Sequence, residues 1–369
     1  MCVKVPILAR NYPSATSSNY PKIQMKAFYL FVLLLSGAVS GLLAQDKAPV
    51  VTALDLQTIP AGTRQHLWVQ IITDAFGQPV CVPVIVAKGA SPGPVVGITA
   101  AIHGDELNGI PIVQRLLEGL DPKGLKGTVV GIPGLNVPGI QRGERRFPDE
   151  EDLNRNFPGN PNGSNSEQYN HRIFSAIIRH VDYLFDLHTA SFGRVNAFYV
   201  RADLRDSVIA KLAYLQPADI IVDNAGPTAS STGSGKTLRE EAYLSGIPCI
   251  TIECGDPHVY QEDMILRGVQ GMRNALGALG MIPSGPGPDS KAVVCRKSYW
   301  LYTDAGGFLE VTVGLNQKIR KGELVGILRN PFGEILRRYY APEDGIVIGK
   351  STHPVNISGG RILHLGILK

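Results

Sequence analysis

Runs rich in apolar residues alternate with helical patterns along most of the chain. The run at 95–102 is continuously apolar, which predicts a strand that is buried on both faces. Further apolar runs predict strands at 80–86, 128–132, 183–188 and 248–253. Apolar positions at helical spacing predict helices over 106–120, 167–180, 203–215, 237–245 and 259–279. Strands that alternate with helices predict an α/β fold with helices on both faces of a sheet.

The helical pattern ends near Ile282, and the next residues, 283–290, form a Pro- and Gly-rich stretch that predicts a linker. Beyond this linker, short β-rich runs separated by Gly and Pro predict a small all-β domain over 291–369. A larger α/β domain is expected at 45–282. We interpret the β domain as structural, or as a wall of a substrate cleft.

The N-terminal segment has the pattern of a secretory signal. Met25 and Lys26 precede an apolar run at 27–35 and a stretch of small residues, with cleavage expected after Ser40 or Ala44. The run is shorter than the roughly 20 residues that span a membrane. We therefore expect the leader at 1–44 to be removed and the protein to be exported to the periplasm or the cell exterior. A buried helix or a membrane anchor is the alternative.

Composition and charge exclude few functions. The chain has 369 residues, 44% of them hydrophobic and 18% charged, with a formal net charge of +4. No basic run is interleaved with aromatic residues, so nucleic-acid binding is not expected. The spacing of the cysteines leaves disulfide pairing open, and we favour buried free thiols.

Two histidines and a glutamate occur where an α/β sheet binds ligands. His103 and Glu106 follow the buried strand at 95–102 and are three residues apart, and His188 ends the strand at 183–188. Residues at the carboxyl ends of strands in such sheets line the ligand crevice. Two His and one Glu, with a fourth position open to water, are a catalytic zinc set. The sequence therefore predicts one Zn²⁺ per chain, as opposed to unrelated polar residues at strand ends.

Other polar residues could complete a hydrolytic site. Glu253 ends the apolar strand at 248–253, where a carboxylate could activate water and then protonate a leaving group. Arg146, Asn154 and Arg155 lie in the polar segment 133–166, and an arginine can bind a carboxylate through two hydrogen bonds. The alternative is that these charged residues are simply solvated at the surface.

Four motifs occur together in one order: His103-Gly-Asp-Glu, Arg146-Phe-Pro-Asp-x-x-Asp-Leu-Asn-Arg-Asn-Phe-Pro-Gly, Asp186-Leu-His-Thr and Thr251-Ile-Glu-Cys-Gly. Over about residues 75–369 the chain resembles the succinylglutamate desuccinylase/aspartoacylase family, which belongs to the zinc carboxypeptidase-like superfamily. The resemblance implies a three-layer α/β/α domain with a mixed sheet, followed by a small all-β domain. It also implies that His103, Glu106 and His188 bind zinc.

The resemblance assigns the remaining roles residue by residue. Arg146 would polarise the scissile carbonyl, Asn154 and Arg155 would bind the substrate carboxylate, and Glu253 would be the general base and acid. The segment from Arg146 to Asn154 is one residue longer than in well-known members, so Arg145 competes with Arg146.

Arg239 and Tyr243 are further candidates for the substrate pocket. The implied activity is zinc-dependent hydrolysis of the amide bond in N-acylated amino acids or related small carboxylate-bearing amides. The alternatives are a metallocarboxypeptidase acting on short or cell-wall peptides, an esterase, and a binding protein with a relict zinc site.

Overall fold

The computed structural model of the chain describes residues 48–224, 235–287 and 292–369. The predicted leader at 1–44 and the last residues of the predicted linker at 283–290 lie outside these ranges. The described residues all belong to one compact unit, 48–369. None of the helices in these ranges is both long enough and apolar enough to cross a membrane.

The strands in the described ranges form two sheets. In chain order they are β1 (Val50–Val51), β2 (Thr63–Thr73), β3 (Pro79–Lys88), β4 (Ser91–Ala100), β5 (Lys126–Ile132), β6 (Tyr183–His188), β7 (Arg194–Asn196), β8 (Phe198–Ala202), β9 (Ile220–Asp223), β10 (Cys249–Cys254), β11 (Val293–Tyr302), β12 (Gly307–Val311), β13 (Lys318–Ile319), β14 (Leu324–Arg329), β15 (Ile335–Tyr340), β16 (Gly345–Ser351), β17 (Val355–Asn356) and β18 (Arg361–Leu368).

The helices in the same ranges connect these strands. They are α1 (Gly109–Glu118), α2 (Val137–Arg142), α3 (Asn165–Ala176), α4 (Ser207–Tyr214), α5 (Leu238–Leu244) and α6 (Glu262–Ala278), with short 3-10 turns at Leu153–Arg155 and Ile178–His180. Side chains cap several of them: Ser164 and Glu167 form a capping box on α3, and Thr237 and Glu240 form one on α5.

The main sheet is mixed, with the strand order β1-β2-β3-β5-β4-β6-β10-β8-β9-β11-β18-β16-β13, and β7 pairs with β16. Its centre is parallel, because β4 pairs with β5 and β6 in parallel and β6 pairs with β10 in parallel. Helices α1, α4 and α6 bury apolar residues in one core cluster and α3 and α5 in another. These layers confirm the predicted α/β/α fold.

The C-terminal region extends the main sheet and also forms a second one. Strand β11 pairs in parallel with β9, so the main sheet continues across the predicted linker. The second sheet has four antiparallel strands, in the order β15-β14-β12-β17. The expected small β domain is therefore present, and part of it is continuous with the α/β sheet.

Two predicted elements differ from the structure for local reasons. The predicted helix 106–120 begins only at Gly109, because residues 103–108 form an irregular turn in which the Glu106 amide donates to the His103 carbonyl at 3.1 Å. Gly104 is required in this turn, since a Cβ there would lie 2.0 Å from the carbonyl carbon of Gly139 in α2. The predicted loop 133–166 contains α2 and a 3-10 turn.

Candidate metal centre and active site

Three of the candidate site residues lie at the carboxyl ends of three adjacent parallel strands. His188 ends β6, Glu253 lies near the end of β10 directly beside it in register, and His103 follows β4. Side chains alternate between the faces of a strand, so His188, Asp186 and Glu253 point to the side covered by α3 and α5. The strand order thus brings together residues that are far apart in sequence.

His103, Glu106 and His188 form the predicted metal cluster. Each is buried, with 2–4% of its surface exposed. The Nδ1 atoms of His103 and His188 lie 2.8 Å from Glu106 Oε1 and Oε2, respectively. One ligand atom from each residue can be chosen so that all three lie within 4.8 Å of one another.

The other ring nitrogens are held by carboxylates. His103 Nε2 lies 3.1 Å from Asp152 Oδ1, and His188 Nε2 lies 2.8 Å from Asp186 Oδ2. Each imidazole can donate its Nε2–H to an aspartate, which leaves the Nδ1 lone pair facing Glu106. Metal-binding histidines are typically oriented in this way. The donor set and its orientation therefore fit a divalent cation such as Zn²⁺.

The electrostatics of the cluster favour positive charge. Burial opposes the charged form of Glu106, but the adjacent His103 and His188 hold the pKa of this carboxyl well below its usual range. Burial also disfavours the His188 imidazolium, yet Asp186 and Glu106 hold its pKa well above the usual range. A cation at this point would meet the same stabilising negative charge.

Of the two consecutive candidate arginines, Arg145 contacts the metal cluster and Arg146 does not. Arg145 donates to Glu106 Oε1 at 2.9 Å, to Asp152 Oδ2 at 2.8 Å and to the Ser191 hydroxyl. Arg146 is exposed, and its guanidinium donates to the backbone carbonyl of Glu150, although it still lies on the cavity rim. Consecutive residues of this loop point in different directions, so only Arg145 reaches the metal cluster.

Asn154, Arg155 and Arg239 all line the cavity above the cluster. The Asn154 amide nitrogen lies 3.4 Å from His188 Nε2, and its oxygen accepts from the Leu238 amide at 2.7 Å. Arg155 is exposed and donates to the Asn154 carbonyl at 2.6 Å. Arg239 is buried and donates to Asn224 Oδ1 at 2.5 Å. These three predicted residues therefore lie together.

Tyr243 does not belong to this group. It lies one helical turn beyond Arg239 on α5, is partly buried against the apolar core and is not among the residues that line the cavity. A role for Tyr243 in the substrate pocket stays a prediction, because the sequence does not show which turn of α5 faces the cavity.

Glu253 lies on the cavity wall with polar neighbours from β7 and β8. Its Oε2 accepts from the Asn196 amide at 3.1 Å, and its Oε1 lies 4.0 Å from Arg201 Nε. Burial raises the pKa of the Glu253 carboxyl. Sequence reasoning missed Asn196 and Arg201, since β7 and β8 were not predicted. The short apolar run of β8 was the available signal.

The cavity has a volume of about 870 Å³, within the range of small-molecule sites. Seven of the described residues that line it are arginines, and four are acidic: Glu106, Asp152, Glu240 and Glu253. Trp300 from β11 and Arg361 from β18 form part of its wall. The C-terminal strands therefore contribute directly to the cavity.

Comparison with known proteins identifies the family. Residues 92–279 match the succinylglutamate desuccinylase/aspartoacylase catalytic domain. The chain belongs to this family. A relative from Halomonas elongata, the N-alpha-acetyl-L-2,4-diaminobutyric acid deacetylase, is 36% identical over 329 residues, which are 86% of this chain and 94% of the relative.

Solved structures show the fold of the succinylglutamate desuccinylase/aspartoacylase family for most of the chain. A succinylglutamate desuccinylase/aspartoacylase from Rhodobacter sphaeroides superimposes with a TM-score of 0.75 at 22% identity, covering 86% of this chain and 100% of its own. The product-bound ectoine utilization protein EutE (DoeB) from Ruegeria pomeroyi gives a TM-score of 0.74 at 21% identity, with 84% and 98% covered. At these identities the likeness shows the fold alone.

Proposed function

We propose that this protein is a zinc-dependent deacylase that cleaves the amide bond of N-acylated amino acids or related small carboxylate-bearing amides. The observation that carries the proposal is the buried His103–Glu106–His188 cluster at the base of an arginine-rich cavity. Family membership supports amide hydrolysis, because the family is named for a desuccinylase and an acylase. The curated relative is named as a deacetylase of an N-acetylated amino acid.

His103, Glu106 and His188 would hold one Zn²⁺, which two nitrogen ligands and one oxygen ligand suit. When bound, the ion would polarise the scissile carbonyl and lower the pKa of a water molecule toward about 7. Asp152 and Asp186 keep both imidazoles in the orientation that this binding needs, through the contacts at 3.1 and 2.8 Å. The fully retained set of ligands and their partners argues against a relict site.

Glu253 is the proposed general base and acid. It lies beside His188 on the neighbouring strand and faces the same cavity, and no other carboxylate of the described residues is in hydrogen-bond contact with it. In the proposed reaction its carboxylate takes a proton from the attacking water and then delivers it to the departing amine nitrogen. Burial, which raises its pKa, brings the group closer to the pH at which both transfers are efficient.

Arg145 is the proposed donor to the carbonyl oxygen of the substrate. It is held by Glu106 and Asp152 at 2.9 and 2.8 Å, so its position is fixed before the substrate binds. A pre-positioned cation stabilises the negative charge that develops on that oxygen during attack. Arg146 is assigned no catalytic role.

Asn154, Arg155 and Arg239 are the proposed residues for the substrate's carboxylate. All three line the cavity, and Arg155 is exposed. An arginine binds a carboxylate with two parallel hydrogen bonds, which orients the bound molecule as well as holding it. This arrangement favours small amides with a free carboxylate.

The test is hydrolysis of a mixed panel by the zinc-loaded protein, followed by mass spectrometry. The panel combines N-acetyl and N-succinyl amino acids, including N-α-acetyl-2,4-diaminobutyrate, with short peptides that have free C-termini and with acyl esters. We expect release of free amino acids from the N-acyl compounds, and loss of this release when a chelator removes the metal.

Three outcomes would overturn this proposal in different ways. Release of C-terminal residues from the peptides alone would make the protein a metallocarboxypeptidase. Cleavage of acyl esters alone would make it an esterase. Zinc binding without hydrolysis of any compound would favour a binding protein.

We also propose that the protein is exported, on the basis of the sequence pattern at 25–44, which lies outside the described residues. The expected mature N-terminus follows Ser40 or Ala44. Mass measurement of the protein recovered from its native host tests this directly, because an unprocessed chain that retains Met25 in the cytoplasm would contradict export.

A further inference from the structure

Tyr199 lies directly opposite the proposed general base on the neighbouring strand. In the antiparallel pairing of β8 with β10, Tyr199 is the register partner of Glu253. Residues that are opposite each other in such a pair point to the same face of the sheet, with Cβ atoms about 4.5–5.5 Å apart. Both line the cavity, although Tyr199 is only 2% exposed. The sheet therefore places a buried phenol beside the Glu253 side chain.

Arg201 restricts the direction in which the Tyr199 hydroxyl can donate. It follows Tyr199 two residues later in β8, so its side chain points to the same face of the sheet. Arg201 Nη2 donates to Tyr199 Oη at 2.9 Å, and the Arg201 Cζ atom lies 5.2 Å from the centre of the Tyr199 ring. A guanidinium donates hydrogen bonds and cannot accept them, so the single phenol proton has to point to another group.

The Glu253 carboxylate is the acceptor for that proton. Burial raises the pKa of the Tyr199 phenol more than Arg201 lowers it, and a side-chain hydrogen bond with Glu253 adds to the rise. The phenol therefore keeps its proton and can donate to the carboxylate. Glu253 Oε2 also accepts from the Asn196 amide at 3.1 Å, and Oε1 lies 4.0 Å from Arg201 Nε. Both oxygens of the carboxylate are thus close to donors from β7 and β8.

The C-terminal strands hold the Tyr199 ring in place. The ring packs edge-on against His364 of β18, with ring centroids 5.9 Å apart and an angle of 68° between the planes. His364 is itself buried and stacks on Trp300 of β11, with centroids 5.2 Å apart. A buried ring that is packed against such neighbours is restricted to one rotamer, because another rotamer would need space that a packed interior does not offer. The phenol oxygen is therefore held at a fixed point.

We propose that Tyr199 is a positioning residue for Glu253, whose carboxylate it holds in one orientation through a hydrogen bond that Arg201 directs. In the proposed reaction Glu253 takes a proton from water and delivers it to the departing amine, so its oxygens need a defined position in both steps. Without the phenol, the carboxylate can rotate away from the water molecule and the amine. This inference rests on the proposed function, because it assigns a role within the reaction that Glu253 carries out.

The main variant is Tyr199→Phe, which removes the hydroxyl and keeps the packed ring. On the best N-acyl amino acid kcat should fall by about 10- to 100-fold, the range expected for a lost hydrogen bond to a charged group. KM and zinc content should stay within about twofold of wild type, since Tyr199 acts on Glu253 and not on the metal ligands. Tyr169→Phe is the matched control, because the Tyr169 hydroxyl is also buried and donates to the Leu135 carbonyl at 2.7 Å, but Tyr169 does not line the cavity. Its kcat should stay within about twofold of wild type.

A double-mutant cycle shows whether Tyr199 acts through Glu253. Glu253→Gln removes the base, so adding Tyr199→Phe to this variant should cause no further loss of turnover, measured in single-turnover reactions with excess enzyme. If Tyr199 acted in another way, for example through the packing of β8, the two losses would multiply. Multiplied losses would overturn the inference.

Carbon-13 NMR tests the hydrogen bond without turnover and separates this inference from the proposed function. In zinc-loaded protein labelled at the carboxyl carbons of its glutamate side chains, the Glu253 signal is the one that Glu253→Gln lacks. Tyr199→Phe should shift this signal, and Tyr169→Phe should leave it in place. An unshifted signal, or a shifted signal with wild-type kcat, would overturn the inference and leave the proposed function intact. A shifted signal in a protein that hydrolyses no amide would instead overturn the proposed function.

Discussion

The metal cluster and the part of the cavity wall formed by Arg194, Trp300 and Arg361 differ in how their charged groups are paired. In the cluster, Glu106 lies between two imidazoles, and each imidazole is held by its own aspartate at 3.1 Å or less. In this part of the wall, Arg194 and Arg361 both contact the Trp300 ring and have no acidic partner among the described residues. The cluster is thus ordered by the chain itself, which suits a resident ion. The wall keeps two positive charges that no acidic group among the described residues pairs.

Removing a ligand of the metal cluster should have the largest effect. Glu106→Ala leaves His103 and His188 without the carboxylate between them, so we expect zinc content to fall well below one per chain. Turnover should fall by at least about 1,000-fold, because both carbonyl polarisation and water activation are lost. Elemental analysis and kinetics measure this, and an active zinc-free variant would contradict the assignment.

Separate substitutions of the two consecutive arginines test which of them acts in catalysis. Arg145→Gln should lower kcat by about 100-fold or more, as expected when a pre-positioned donor to the developing oxyanion is lost. Arg146→Gln should change kcat by less than a few-fold, because the Arg146 guanidinium donates to a backbone carbonyl of its own loop and not to the cluster. The reverse ranking in steady-state kinetics would restore the role of Arg146.

Substitution of the aspartates that contact the imidazoles should weaken zinc binding less than substitution of the zinc ligands. Asp186→Asn keeps the shape of the side chain but removes the charge that holds His188 at 2.8 Å. We expect zinc affinity to weaken by about 10- to 100-fold. Competition with a chromogenic chelator measures this affinity, with excess zinc restoring much of the activity. Unchanged affinity would mean that Asp186 does not orient His188.

The pH dependence of kcat/KM should reflect the ionisation of the Glu253 carboxyl. As a base it must be ionised, and burial raises its pKa, so activity should fall with decreasing pH from a point above the ordinary range of a glutamate. Arg201 lowers this pKa, so Arg201→Gln should move the acidic limb to still higher pH and cost several-fold in rate on that limb. If the acidic limb stays at the same pH in this variant, Arg201 does not influence the pKa of Glu253.

The smallest effect is expected at Tyr243. Its ring packs against the apolar core and does not reach the cavity, so Tyr243→Phe should leave kcat and KM within about twofold. A larger increase in KM, measured on the best N-acyl substrate, would show that Tyr243 contributes to substrate binding.

The sequence predicts the metal cluster well because its signals are local. His103 and Glu106 share one turn, and His188 ends a strand that can be recognised by its apolar run. Which of the two arginines reaches the cluster depends on the path of their loop. The Asn136 amide nitrogen holds this loop by donating to the backbone carbonyls of Arg145 and Arg146 at 3.4 and 3.5 Å. Periodicity carries no information about such contacts.

The proximity of Arg194 and Arg361 could not be predicted from local patterns. Arg194 and Arg361 are far apart in sequence and meet because β16 pairs with both β7 and β18. The main sheet also crosses the Pro- and Gly-rich segment that predicted a linker, since β9 pairs with β11. Turn-forming composition indicates where the chain bends, but it does not show whether the strands on either side pair.

Metal titration is the most direct test of the central claim. Zinc would be added stepwise to metal-free protein while the hydrolysis of an N-acyl amino acid is followed by mass spectrometry. The account predicts no hydrolysis without metal and full activity at one zinc per chain, with Glu106→Ala inactive at the same zinc concentration. Hydrolysis that is independent of added zinc, or that Glu106→Ala retains, would contradict it.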